Sequence, residues 1–159
     1  MNKISLKLAE KGDAPLIFDF LQKLALQLGC PESFKGTIEA LENYGFGQHP
    51  AFEVIIAYHR GTAVGCILYF EEFSTWRCTP GIYVQDLFVE ASARGLGLGK
   101  RLIDAAVERG RPLQATYLRL SVGAENQLGF EFYQAIGFEH SRDEQMLMLN
   151  FDSAPPPQK

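Results

Sequence analysis

Cysteine is scarce in this sequence, and its three copies, Cys30, Cys66 and Cys78, form no C-x-x-C pair. An odd number without paired spacing argues against a disulfide framework and favours a reducing compartment, so a cytoplasmic protein is expected. Histidine is equally rare. His49, His59 and His140 lie far apart and give no H-x-x-x-H helical spacing, so no metal is expected. Basic excess is missing too: 15 Lys and Arg stand against 19 Asp and Glu, for a net charge of −4 and a pI near 5.4. That balance leaves no footprint for nucleic acid and gives a weak lean toward cationic ligands. Long apolar runs are also absent. Leu16–Leu28 is interrupted by Asp19, Gln22 and Lys23 and is too short to span a bilayer, so no membrane association is expected. Met1–Ala14 shows no charged segment leading into an apolar core, and no secretory signal is expected.

What is present suits one domain. A chain of 159 residues with 47% hydrophobic content can build one sizeable core, expected over residues 1–152. The remainder, Ser153–Lys159 with Pro155–Pro157 together, is expected to be a disordered tail. Ile4, Leu6 and Leu8 alternate with polar residues as in a strand. Asp13 and Pro15 then open a helix that puts Ile17, Phe20, Leu21, Leu24 and Leu28 on one face. A short helix is expected over Thr37–Asn43. Phe52–Tyr58 and Ala63–Phe70 read as a hairpin turning at Arg60-Gly61, and Ile82–Val89 as a central strand broken by Gln85 and Asp86. Helices are expected near Leu98–Arg109 and Gln127–Ile136, the latter ended by Gly137, with strands over Thr116–Val122 and Met146–Phe151. The order β-α-α-β-β-β-α-β-α-β describes a mixed α/β sheet flanked by helices.

The segment from Val89 to Lys100 carries the most chemistry. Gly95, Gly97 and Gly99 alternate with Leu96 and Leu98 between a strand and a helix, so consecutive backbone N–H groups can converge on one point. The helix beginning there aims its positive end at the same place, and Arg94 and Lys100 add formal charge. Such a site suits a diphosphate. A dinucleotide fingerprint fails because Lys100 holds the sixth position, and a Walker loop fails because Arg94 and Arg101 stand where Gly and Ser or Thr are needed.

The remaining pattern, Arg-x-x-Gly-x-Gly over Arg94–Gly99, resembles the pyrophosphate loop of the GNAT superfamily of N-acetyltransferases. Gly45–Pro50, Tyr69–Trp76, Val84–Val89 and Asn126 with Phe132-Tyr133 are similar, in matching order, to its diamine (spermidine/spermine) acetyltransferase branch. The resemblance implies a GNAT-like, mostly antiparallel sheet with a V-shaped split between strands four and five that takes acetyl-CoA as acyl donor. It implies that the backbone of Leu87, Phe88 and Val89 pairs with the pantetheine arm. It further implies that Gly95, Leu96, Gly97, Leu98, Gly99 and Lys100 hold the diphosphate beside Arg94, with Asn126 on the far wall. The partners implied are a small-molecule amine and a second copy of the chain, as a homodimer.

Acyl transfer to an amine needs a neutral nucleophile, a donor for the developing oxyanion and a proton for the departing thiolate. Tyr133 matches the family's general acid; a phenol of pKa ~10 can protonate a thiolate of pKa ~8.5 with modest help. Its other reading is aromatic packing beside Phe132. The base is less determined. The branch has a glutamate where this chain has Gln85, and a carboxamide takes no proton. Asp86 either accepts the proton, directly or through water, or is a buried acceptor while solvent takes the proton. Alternation along a strand sets Gln85 and Asp86 on opposite faces. Gln85 and Trp76 are candidate substrate-binding residues; Glu71, Glu72 and Trp76 either line the opening or form a solvated strand end with one packed aromatic. Leu28 and Gln27 replace an acid and a tyrosine of the polyamine pocket, which argues for an acceptor carrying fewer charges than spermidine. Two other functions fit the same residues: a CoA-binding sensor without chemistry, and an acetyltransferase for protein lysines or N-termini. Cys66, inside an apolar strand, reads as core.

Overall fold

The computed structural model describes residues 3–153, in two compact units, Met1–Gly123 and Ala124–Lys159. The first unit carries a five-stranded sheet in the order β1-β2-β3-β4-β5. Its strands are β1 (Ile4–Leu8), β2 (Glu53–His59), β3 (Thr62–Ser74), β4 (Thr79–Val89) and β5 (Leu118–Leu120). The first three pairings are antiparallel and β4–β5 is parallel. Helices α1 (Ala14–Gln27) and α2 (Ile38–Gly45) precede β2, and α3 (Leu98–Gly110) links β4 to β5. Parallel neighbours need such a crossover.

Two apolar layers flank the sheet. Val54, Ile56, Cys66, Leu68 and Phe88 pack with Ala14, Ile17, Phe20 and Leu21 of α1 and Leu41 of α2. Alternation sends Ile82 and Val84 to the opposite face, where α3 buries Leu98, Leu102, Ile103 and Ala106. Thr37 caps α2 as its Oγ1 accepts the Ala40 N–H at 3.1 Å.

One irregularity decides where the site residues face. Val84 lies opposite Tyr69 and Asp86 opposite the adjacent Leu68, so Gln85 is an extra residue bulged out of β4. Directly opposed residues share a face. The bulge therefore transfers Asp86 and Phe88 to the α1–α2 side, with Leu68 and Cys66; unbroken alternation would have left them beside Val84 under α3. The expectation that simple alternation governs Gln85 and Asp86 is corrected here, since the alternation is interrupted at that step.

The β4–β5 ladder covers only Ile82–Val84 with Leu118–Leu120. From Gln85 to Val89 β4 continues without β5 beside it, so the two strands part there, as a split sheet requires. β3 and β4 run further than expected at their other end, as a hairpin arm pairing Ser74 with Thr79.

In the second unit, α4 (Gln127–Ala135) is capped by Asn126, whose Oδ1 accepts the Gly129 N–H at 3.0 Å. Gly137 has φ +109° and ends the helix as expected. The Phe138 N–H reaches the Tyr133 carbonyl at 3.0 Å and the Gly137 N–H that of Gln134 at 3.1 Å, a Schellman closure. The expected strand Met146–Phe151 does not form. Residues 141–150 hold no regular structure and Phe151–Ser153 make one 3-10 turn. Met146, Leu147, Met148, Leu149 and Phe151 are exposed. Consecutive apolar residues without β-branching supply neither alternation nor strong strand preference, and a strand without a partner ladder has no stability of its own. The observed order is β-α-α-β-β-β-α-β-α. Of the expected tail, residues 154–159 lie outside the described residues.

Candidate active site

The glycine loop has the geometry that its sequence calls for. After a 3-10 turn at Ala91–Ala93, Gly95 adopts φ +79° and Gly97 φ +75°, the latter as N-cap of α3. A side chain at either position would meet no neighbour, so left-handed backbone, not crowding, requires glycine there. The first helical bond is from the Arg101 N–H to the Gly97 carbonyl at 3.1 Å. Among the described residues, the N–H groups of Gly95, Leu96, Gly97, Leu98, Gly99 and Lys100 find no acceptor in the chain. A run of unpaired donors at a helix start is an anion cradle, and its fit to linked phosphates rests on backbone alone.

The two flanking cations are already engaged. Arg94 donates from Nη2 to Gln27 Oε1 of α1 at 2.6 Å and from Nε to the Val89 carbonyl at 3.3 Å. Lys100 pairs with Asp104 at 2.7 Å, one turn along α3. A second link ties α1 to the same region, from Lys23 to Glu90 at 2.6 Å. Leu87, Phe88 and Val89 pair with Ile67, Cys66 and Gly65 along β3, beyond the point where β5 stops.

Asp86 is half-buried beside Leu68. Loss of water around the carboxylate pushes its pKa from 3.8 up to about 6. A carboxylate so placed is ionised at neutral pH yet basic enough to take a proton. Cys66, fully buried, is pushed up to about 12 by burial first and by Asp86 second, so it stays a thiol. Gln85 is exposed at the bulge. Trp76 sits fully exposed at the tip of the β3–β4 arm, 99% accessible. From Thr79 to Gln85 is six strand steps, about 20 Å at ~3.3 Å each, so the fold does not bring Trp76 to Gln85 within one chain.

In the second unit, Tyr133 is half-buried between Phe132 and Phe138, its ring centroid 5.1 and 5.3 Å from theirs. The contact with Phe138 is the apolar clasp of the Schellman closure, so the helix end itself fixes the ring. Asn126 lies seven residues earlier, with its side chain engaged in the cap.

Three polar networks give no local sequence signal. The Glu53 carboxylate takes Arg109 Nη2 at 2.7 Å and the Tyr69 hydroxyl at 2.9 Å. Despite the desolvation that raises it, its pKa is lowered by the Arg109 and Tyr69 hydrogen bonds. The Arg94–Gln27 link and a Glu72–Arg119 pair complete the set, each joining residues at least 47 positions apart. Among the described residues no group of three or more His, Cys, Asp or Glu is placed to hold a metal ion, and no helix is long and apolar enough to cross a membrane.

This architecture is that of known acyltransferases. An aminoglycoside N-acetyltransferase, AAC(6')-Iy, solved in complex with CoA, superposes with a TM-score of 0.75 at 18% identity, covering 94% of this chain and 95% of that one. A ribosomal-protein-alanine N-acetyltransferase from Brucella melitensis gives 0.74 at 20% identity, covering 94% and 99%. The chain belongs to the acetyltransferase (GNAT) family, whose profile matches residues 19–138. It is similar to the thialysine N-epsilon-acetyltransferase of Bos taurus, 28% identical over 84% of this chain and 83% of that protein. It is also similar to the human spermidine/spermine N(1)-acetyltransferase-like protein 1, 24% identical over 86% of this chain and 21% of that protein.

Proposed function

We propose that this protein transfers an acetyl group from acetyl-CoA directly to a primary amine of a small molecule, the acceptor being a diamine, a polyamine or an amino acid with a side-chain amine. The run of unpaired N–H groups from Gly95 to Lys100 carries this reading, because a diphosphate is the ligand that such a cradle suits. Relatives named for thialysine and for spermidine/spermine support a small amine as acceptor.

In the proposed reaction the backbone of Leu87–Val89 aligns the pantetheine arm as an added strand, and Arg94 and Asn126 flank it. The amine attacks the thioester carbonyl; the C–N bond forms and the C–S bond breaks. Asp86 takes the proton that the amine gives up, and Tyr133 donates the proton that the departing thiolate receives. Gln85, from the bulge, contacts the acceptor as a neutral hydrogen-bonding group, and Trp76 reaches an acceptor site only from a second copy. The raised pKa of Asp86 supports it as base and weighs against a sensor without chemistry.

One catalytic domain over residues 1–152, acting as a homodimer, follows from the resemblance to the diamine branch, and the exposed run Met146–Phe151 supports a covering partner. The cytoplasm is the proposed compartment, in keeping with three unpaired cysteines. The test is thiol release with acetyl-CoA and a panel of amines. Release that needs both substrates supports the reading; release from no amine in the panel refutes it.

A further inference from the structure

Two side chains of α1 reach the segment that leads into the glycine loop, and the proposed chemistry uses neither. Lys23 and Gln27 stand one helical turn apart on α1, so they leave it on one face. Glu90 and Arg94 bracket the 3-10 turn Ala91–Ala93. The pairs meet in parallel: Lys23 Nζ donates to Glu90 Oε1 at 2.6 Å, and Arg94 Nη2 donates to Gln27 Oε1 at 2.6 Å. A guanidinium only donates, so the Gln27 atom facing it is the carboxamide oxygen. Arg94 is held from a second side by the Val89 carbonyl, 3.3 Å from Nε. The Glu90 N–H bonds the Val64 carbonyl at 2.8 Å, and Val89 lies opposite Gly65. Antiparallel pairs alternate in their bonding, so the N–H and C=O of Val89 point away from β3, toward the open edge of β4. The guanidinium therefore stands at the corner between that edge and the N–H cradle that begins at Gly95.

The two bridges differ in charge. Lys23 is matched by Glu90 and by Asp19, the latter at 2.9 Å, and Lys100 is matched by Asp104. Among the described residues no carboxylate pairs with Arg94. Its partners are an amide and a carbonyl, both neutral, so they fix the guanidinium without cancelling its charge. The N–H groups on Nη1 take part in neither bond. A carboxylate at position 27 would grip the guanidinium more strongly, because charge-assisted hydrogen bonds exceed neutral ones. It would also offset the charge that favours a diphosphate. A carboxamide supplies the hold and spares the charge.

We propose that Gln27 is a positioning residue for the acyl donor: its carboxamide oxygen and the Val89 carbonyl hold the Arg94 guanidinium, still charged, with Nη1 presented to the diphosphate at the Gly95–Lys100 cradle. This rests on the acetyl-CoA reading and adds the last residue of α1 to the donor site. Gln27 touches no reacting atom and acts through Arg94 alone. Lys23 and Glu90 brace the same segment one helical turn away, so α1 stays tied to the loop when position 27 is changed.

The experiment measures the Kd for CoA by calorimetry in the wild type, Gln27→Met, Gln27→Glu and Arg94→Met, and in the two double variants. Gln27 is exposed, so its substitution should leave Tm within about 2 °C of the wild type. Gln27→Met and Gln27→Glu are each expected to weaken CoA binding by about 10-fold, and neither should weaken it further in the Arg94→Met background. With acetyl-CoA, KM should rise while kcat at saturation holds, a split that a displaced α1 would not give. Wild-type affinity in Gln27→Glu would show that only the strength of the α1 tie matters and overturns the proposal. Equal losses in the Arg94→Met background, or a kcat that falls as far as the affinity, overturn it too. Each of these leaves the acetyl-CoA reading standing, whereas a wild type that binds no CoA removes both.

Discussion

Replacing Asp86 by Asn separates stability from chemistry in a way that the proposed site makes quantitative. The carboxylate is half-buried, and its pKa rises from 3.8 to about 6 because burial removes water from the charged form. A group whose pKa is higher in the folded chain binds protons more tightly there, so stability falls as pH rises between the two values. Below about pH 4 the carboxyl is neutral in both states and costs nothing. Above about pH 6 the full cost applies. At ~1.4 kcal/mol per pH unit the ceiling is about 3 kcal/mol, and partial solvent access lowers the expected gain to about 1–2 kcal/mol. Asp86→Asn, nearly the same shape, should therefore raise Tm at pH 7.5 by about 2–8 °C, and the gain should vanish by pH 4. The same variant should lose at least ~100-fold in kcat as the base disappears, together with the fall of wild-type kcat/KM below about pH 6. Thermal melts of both proteins from pH 3.5 to 8 provide the check. A variant no more stable than wild type at pH 7.5, or a gain independent of pH, refutes the desolvation argument.

Other consequences are equally open to measurement. Tyr133→Phe keeps the ring in its Phe132–Phe138 clasp and removes only the hydroxyl, so kcat should fall by about 100-fold with little change in KM for acetyl-CoA; unchanged turnover would take Tyr133 out of the mechanism. Gly97→Ala, at φ +75° with open space around it, should cost about 1–2 kcal/mol of stability and weaken acetyl-CoA binding in calorimetry; a neutral substitution would mean that the left-handed turn is dispensable. Gln85→Glu sets a second carboxylate beside Asp86, which should shift the acidic limb of the pH–rate profile above about 6 and improve turnover of diamines relative to lysine. Tyr69→Phe removes one donor from Glu53 and should destabilise by about 1–2 kcal/mol in urea denaturation, leaving the preference among amines unmoved.

How far the sequence led depends on whether the cause was local. The left-handed turns of the Gly95–Gly99 alternation and the Gly137 closure each follow from the backbone demands of a few neighbouring residues, and the structure has both, whereas the Asn126 cap emerges only from the structure. Leu87–Val89 enter through the family resemblance instead, and the strand pairing puts them beyond the end of β5. The bulge at Gln85 left no such mark: period-two alternation contains no term for an inserted residue, and only the pairing with Leu68 and Tyr69 exposes it. Charged pairs such as Glu72–Arg119, Glu53–Arg109 and Arg94–Gln27 join distant segments, so their formation depends on sheet register and helix packing. Met146–Phe151 failed in the opposite sense. Its apolar composition suggested a strand, but composition does not supply a neighbour with free backbone groups.

The central claim is that backbone amides at the start of α3 clasp linked phosphates, and amide chemical shifts report on those groups individually. Titrating isotope-labelled protein with CoA should move the resonances of Gly95, Leu96, Gly97, Leu98, Gly99 and Lys100 first and most, with the same residues moving when acetyl-CoA is used. Saturating CoA that leaves these six amides in place, or moves another region instead, contradicts the account.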